Sequence, residues 1–184
     1  MVEALRLQWG APRTQLLLLG LGLEAYDSVP PKTMVPQAEV VALHQCVYGM
    51  VEVQEVKAIA QEAGKRTGDY LLANRIPAAV QWVLKRLPDK LAARVLCKAI
   101  AKHAWTFAGS GVFSYAWSPG LVFCIQGSPL CAGIQSAVPV CDYYAATFER
   151  IFRAIVNDDW RVVEQSCQAT GAPACIFVFQ RAAG

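Results

Sequence analysis

The chain has 184 residues, of which 55% are hydrophobic and only 17% charged, and its net charge is +3. The length suits one domain, and so small a charge excludes nucleic-acid binding driven by charge alone. Charged residues make up about a quarter of most soluble chains, so the low fraction indicates either a large apolar interior or pocket, or contact with a membrane or partner. No run approaches the roughly 20 apolar residues that span a bilayer, and Arg6 and Arg13 interrupt any signal peptide. We therefore expect a cytoplasmic protein with reduced cysteines.

The first 36 residues are predicted to form a helical extension that packs on a domain covering residues 37–184. The segments LRLQW and TQLLLLGLGLEAY each predict a short helix, and the proline-rich connector SVPPKTMVP follows them. Gly20 and Gly22 match part of a dinucleotide-binding pattern. However, Pro30 and Pro31 end any helix too early for that fold.

Four helices are predicted next, over residues 37–49 and 51–74, after Pro77, and over about 88–104. Gly64 and Gly68 lie four residues apart on one face of the second helix. Their spacing predicts a close approach of another helix backbone. The last helix carries a basic stripe, Lys90, Arg94, Lys98 and Lys102. Such a stripe is typical of a solvated face, but it also suits a ligand propionate, anionic lipid or an acidic partner enzyme.

Aromatic residues alternate with small ones from Trp105 onward, which predicts strands with one aromatic face. This face is typical of ordinary core packing. It would also suit a flat conjugated ligand such as a tetrapyrrole. His103, predicted on an apolar helix face, is either a core residue or a ligand of a pigment's magnesium, and His44 is a weaker candidate for the same role. The predicted pigment-binding residues are His44, His103, Trp105, Phe107, Phe113, Tyr115 and Trp117.

The C-terminal part contains a set of potential metal ligands, Cys141, Glu164, Cys167 and Cys175, in the order C-x22-E-x2-C-x7-C. The turn QATGAPA around Gly171 predicts a hairpin that brings Cys167 near Cys175. Glu164 can join them only if the strand ends or bulges at Cys167. Cys141 is predicted at a helix start, where backbone N–H groups favour a thiolate. Three thiolates and one carboxylate suit a closed, structural zinc site.

Two further expectations follow from this set. The proposed ligands and Zn²⁺ carry a net negative charge, which we expect Arg161 or Arg181 to offset. Cys46, Cys97, Cys124 and Cys131 lack a ligand spacing and are predicted to be small buried residues.

The C-terminal spacing resembles the 4-vinyl-reductase domain family, which is related to subunits of the TRAPP vesicle-tethering complex and to aromatic-sensor domains of bacterial activators. In the sensor domains a Cys, a Glu and two Cys at this spacing hold zinc. The segments AGKRTGDYLLANRIP and KHAWTFAGSG are similar to the J-type proteins of bacteriochlorophyll biosynthesis. The resemblance implies an α+β fold, with a helical N-terminal half followed by an antiparallel sheet of about four strands flanked by helices. It also implies a homodimer as an option.

The resemblance and the apolar composition together favour a non-catalytic carrier that binds a protochlorophyllide- or chlorophyllide-type tetrapyrrole and contacts other enzymes of bacteriochlorophyll synthesis. Peripheral contact with the photosynthetic membrane is a further expectation. The alternative is a vinyl reductase acting on a divinyl chlorophyll precursor. That reaction needs a hydride source, and zinc has no redox chemistry, so an external reductant or partner would be required.

Overall fold

The computed structural model describes residues 1–29, 31 and 33–181. Helices occupy most of the first 108 residues, and the strands follow them. The helices are α1 (Val2–Trp9), α2 (Ala11–Gly20), α3 (Ala25–Ser28), α4 (Gln37–Met50), α5 (Val53–Asn74), α6 (Ala78–Leu84), α7 (Asp89–Lys102), α8 (Trp105–Ala108) and α9 (Asp142–Ile155). The strands are β1 (Val112–Ala116), β2 (Val122–Gln126), β3 (Trp160–Ser166) and β4 (Cys175–Arg181). The predicted α+β fold class is confirmed.

The strands of this described part form one antiparallel sheet in the order β1-β2-β4-β3. Successive strand residues point to opposite faces, so Phe123 of β2 and Phe177 of β4 lie on the same, fully buried face. The amphipathic helix α9 packs on this face through Phe148 and Phe152, whose rings contact Phe123 and Phe177. The predicted apolar stripe of α9 is therefore the centre of the core.

The other side of α9 packs against α5 at short range. A Cβ atom added to Gly64 would lie 2.8 Å from the Cβ atom of Ala146, and one added to Gly68 would lie 2.7 Å from that of Arg150. The Thr147 hydroxyl donates a hydrogen bond to the Gly64 carbonyl, at 3.1 Å. The predicted close helix contact at these two glycines is confirmed.

A second apolar cluster joins the N-terminal helices to α4 and α5, with Leu5, Leu18, Val47 and Ile59 at its centre. The Trp9 indole N–H also donates to Glu55, at 2.5 Å. Among the described residues, no helix combines the length and the apolar character that crossing a bilayer requires.

One predicted element is wrong. Residues Trp105–Ala108 form the short helix α8 rather than a strand. A single helical turn also places Trp105 and Phe107 on different sides, so their alternation did not distinguish strand from helix.

Candidate functional site

Four cysteines from separate segments meet at one end of the sheet. Cys131 closes a 3₁₀ turn after β2, Cys141 caps the start of α9, and Cys167 and Cys175 flank the turn between β3 and β4. All four are buried, and their sulfur atoms lie within 4.8 Å of one another. We call Cys131, Cys141, Cys167 and Cys175 the four-cysteine group.

The sulfur spacing fits a tetrahedral ion. The Sγ–Sγ distances are 3.6 Å for Cys131–Cys175, 3.7 Å for Cys141–Cys175, 3.8 Å for Cys167–Cys175 and 4.0 Å for Cys141–Cys167. Zinc bound by four thiolates at about 2.3 Å would place its ligands about 3.8 Å apart. A disulfide would need about 2.05 Å, and all four thiols are free. The group could therefore bind a metal ion.

The β3–β4 connection explains how two of these cysteines meet. The pairing of β3 with β4 shifts register between Glu164 and Ser166, so the ladder is irregular where the sequence required it to be. The turn then passes through Gly171, whose φ of 87° is accessible mainly to glycine. As a result Cys167 lies just beyond the end of β3 and reaches Cys175, which pairs with Ile125 on the neighbouring strand.

Glu164 lies beside the group and is not a member of it. Its Oε2 accepts a hydrogen bond from the backbone N–H of Cys141, at 2.6 Å. Its Oε1 is buried without a hydrogen-bond partner among the described residues. Burial, and then the negative charge of Cys167, raise the pKa of Glu164 to about 8. The structure thus has Cys131 where the sequence analysis put Glu164.

Sequence reasoning missed Cys131 because no ligand spacing involves it. The irregular segment between β2 and α9 determines its position, and neither periodicity nor a turn motif predicts the path of such a segment. The one available signal was the presence of a further cysteine ten residues before Cys141.

The thiols of the group interact electrostatically. Hydrogen bonds from Cys141, Cys167 and Cys175 lower the pKa of Cys131. The hydrogen bond with Cys131 raises the pKa of Cys141. The cluster therefore concentrates negative charge on one sulfur, which is the form of cysteine that binds metals.

Backbone groups, rather than the expected arginines, stabilise charge at this end of the sheet. The Gln168 N–H donates to Cys175 Sγ, at 3.5 Å, and Cys141 lies at the positive end of α9. Arg161 donates to the backbone carbonyls of residues 158 and 160, and Arg181 pairs with Asp89. Since Trp160 and Arg181 pair at the opposite end of the β3–β4 ladder, neither arginine serves the cysteines.

Some of the predicted pigment-binding residues lie together at the edge strand β1. Phe107 and Phe113 are half-buried, 5.4 Å apart, and Phe113 packs 5.0 Å from Phe123. Tyr115 and Trp117 are also half-buried against the core. Helix α7 runs beside this edge, and the guanidinium of Arg94 lies 5.9 Å from the Trp117 ring centre. The residues Tyr115, Trp117 and Arg94 therefore form a seam between β1 and α7.

The other predicted pigment-binding residues lie elsewhere. Trp105 is exposed, and so is His103, which is at the C-terminal end of α7 rather than on its buried face. His44 is buried on α4 beside Tyr143, with ring centres 6.2 Å apart. Burial lowers the pKa of His44 to about 4, so its imidazole is neutral at pH 7. The structure does not bring the two histidines together with the aromatic strand.

Two open depressions of about 500 Å³ are present on the surface. One lies between Leu16, Leu19 and Asp27 near the N terminus, with a volume of about 510 Å³. The other, of about 530 Å³, lies between residues 133–136 and 168–171, close to the four-cysteine group. Neither depression is lined by a predicted pigment-binding residue.

Comparisons with known proteins relate this chain to a family. The 4-vinyl-reductase domain matches residues 121–181, which include all of the four-cysteine group. Over 148 residues the chain is 45% identical to the bacteriochlorophyll synthase 23 kDa chain of Cereibacter sphaeroides, covering 80% of this chain and 71% of that protein. Over 149 residues it is 38% identical to the protein of the same name from Rhodobacter capsulatus, covering 81% and 69%.

Proposed function

Because the chain belongs to the 4-vinyl-reductase domain family that includes the bacteriochlorophyll synthase 23 kDa chains, we propose that it takes part in bacteriochlorophyll biosynthesis. Within that pathway, its role is to bind a protochlorophyllide- or chlorophyllide-type tetrapyrrole and pass it between enzymes. The names of its relatives describe one chain of a synthase, which supports a second proposal, that the partners are other enzymes of the same pathway.

The observation that carries the pigment proposal is the seam between β1 and α7. A tetrapyrrole needs broad apolar contact and a cation for its propionate. Tyr115 and Trp117 offer half-buried aromatic surface at an edge strand, and Arg94 offers a guanidinium beside them. Ligand entry requires α7 to move slightly away from β1.

Pigment binding can be tested by titrating the protein with protochlorophyllide and following the pigment's absorbance. We expect a spectral shift and co-elution, and we expect Trp117→Ala to weaken binding by about tenfold or more, as removal of a buried aromatic anchor does. Trp82→Ala is the matched control, because Trp82 is exposed on α6.

Two results would contradict the carrier role. The first is the absence of any spectral shift at micromolar concentrations of protein and pigment. The second is conversion of a divinyl pigment to its monovinyl form when the protein is incubated with NADPH alone, which would favour the vinyl reductase.

We further propose that the four-cysteine group holds a structural zinc ion. Four thiolates with no open position suit a site that stabilises a fold rather than one that activates a substrate. The sulfur distances of 3.6–4.0 Å and the unpartnered oxygen of Glu164 support this proposal. The ion would connect the segment after β2, the start of α9 and the β3–β4 turn.

A further inference from the structure

One side of α7 is both basic and apolar at the surface. Its buried side consists of Ala92, Ala93, Leu96 and Cys97. The opposite side is exposed and follows the helical repeat. We call this exposed set the α7 face: Lys90, Leu91, Arg94, Val95, Lys98, Ala99 and Lys102.

The apolar residues of this surface are unusually accessible. Leu91 is 48% exposed and Val95 is 40% exposed. Trp105, three residues beyond the last lysine of the face, is 64% exposed. Each of these side chains therefore adjoins a cation and leaves much of its apolar surface in water.

The positive charge of the chain is concentrated here. Residues 78–105 contain six Lys or Arg and one Asp, a net charge of +5, so the remaining residues carry −2 of the chain's total of +3. The one acidic residue, Asp89, already contacts Arg181 and Asn157. Within the described residues, Lys90, Arg94, Lys98 and Lys102 form no salt bridge.

We propose that the α7 face and Trp105 form a docking surface for an anionic lipid bilayer. Basic side chains attract anionic head groups, while adjacent aliphatic and tryptophan side chains enter the boundary between head groups and acyl chains. Lys90 and Lys102 are twelve residues apart, which is about 18 Å along a helix. A row of that length can contact several head groups at once.

This inference goes beyond the proposed pigment role and does not depend on it. It concerns the exposed side of α7, whereas the pigment seam lies where α7 meets β1. Lys98 and Lys102 belong to the docking surface alone, so variants at these positions test membrane binding without removing the aromatic residues of the seam.

The test is flotation of the full-length protein with vesicles of phosphatidylcholine, with and without phosphatidylglycerol. We expect binding to the anionic vesicles only, and we expect added salt to weaken it. Lys98→Glu/Lys102→Glu should reduce partitioning by about thirtyfold or more. The control Lys65→Glu/Arg66→Glu changes net charge equally on exposed positions of α5 and should retain most of the binding.

A second measurement concerns the apolar part of the surface. Trp105→Ser should weaken flotation even though it leaves the charge unchanged. The proposal is overturned if the protein ignores anionic vesicles at low salt, or if both double variants lose binding equally. Binding to poly-L-glutamate without binding to vesicles would overturn it in favour of an acidic protein partner.

Discussion

Cys131 and Glu164 are alternative candidates for the fourth position around the proposed ion. The Cys131 sulfur lies 3.6 Å from that of Cys175, as a shared ion requires, whereas Glu164 uses one oxygen to accept the Cys141 N–H. We therefore expect Cys131→Ser to bind zinc at least about 100-fold more weakly. Glu164→Gln should retain one zinc per chain, with an affinity loss of about 10- to 100-fold, as for residues that orient ligands.

Substitution of cobalt for zinc distinguishes these roles directly, because sulfur-to-cobalt charge-transfer absorption increases with the number of thiolates. Cys131→Ser should reduce this absorption, and Glu164→Gln should not. Cys124→Ser is the control, since Cys124 is only half-buried and lies outside the group. If Cys131→Ser left the spectrum intact while Glu164→Gln changed it, the ligand set predicted from sequence would be the correct one.

Residue-level prediction succeeded where local chain geometry determines position. Gly171 and the short β3–β4 turn bring Cys167 to Cys175, and the helix start positions Cys141; both follow from nearby sequence. Cys131 and His103 depended on longer-range information. The first is placed by an irregular segment, and the second lies one residue past the end of α7, where the helical repeat no longer decides burial.

At the scale of elements, the contact between α5 and α9 depends on the absence of side chains at two positions. An alanine Cβ at Gly64 would meet the Tyr143 carbonyl oxygen and the Ala146 side chain. Because backbone atoms cannot move away cheaply, we expect Gly64→Ala to lower the free energy of unfolding by about 1–3 kcal/mol. Urea denaturation followed by circular dichroism measures this change.

Gly49→Ala is the matched control, because Gly49 is also helical and nothing lies within 4 Å of the added Cβ. It should leave stability unchanged or raise it by up to about 1 kcal/mol, as the helix propensity of alanine predicts. Equal effects of the two substitutions would mean that α5 and α9 do not depend on close backbone approach.

Elements with a strong pattern were predictable, and short ones were not. The apolar stripe of α9 repeats over fourteen residues, and its buried set matches the prediction. Helix α8 has four residues, too few to show a period. Its residues Trp105 and Phe107 consequently fit the same alternation that does hold for Phe113 and Tyr115 on β1.

At the scale of the whole molecule, the four-cysteine group connects parts of the chain that are distant in sequence. Cys131 and Cys175 are 44 residues apart, and their sulfurs are in contact. An ion shared among them would hold α9 against the end of the sheet, where the main core begins. The seam between β1 and α7 lies toward the opposite edge of the sheet, since β1 and β3 are its outer strands.

Removal of zinc should therefore lower the stability of the whole fold. A ligand that binds only the folded state stabilises it by RT ln(1 + [L]/Kd), about 4 kcal/mol when its concentration is 1,000 times Kd. We expect the protein stripped by a chelator to melt at a lower temperature, and we expect added Zn²⁺, but not Mg²⁺, to restore the transition, because thiolates prefer the softer ion.

The same experiment on Cys131→Ser separates the effect of the ion from that of the thiols. This variant should melt at nearly the same temperature with and without added zinc, since it has lost one ligand of the proposed site. The Cys124→Ser control should respond to zinc as the unmodified chain does. Identical melting of the stripped and zinc-loaded unmodified protein would show that the cysteines pack as thiols and that hydrophobic burial alone holds α9 on the sheet.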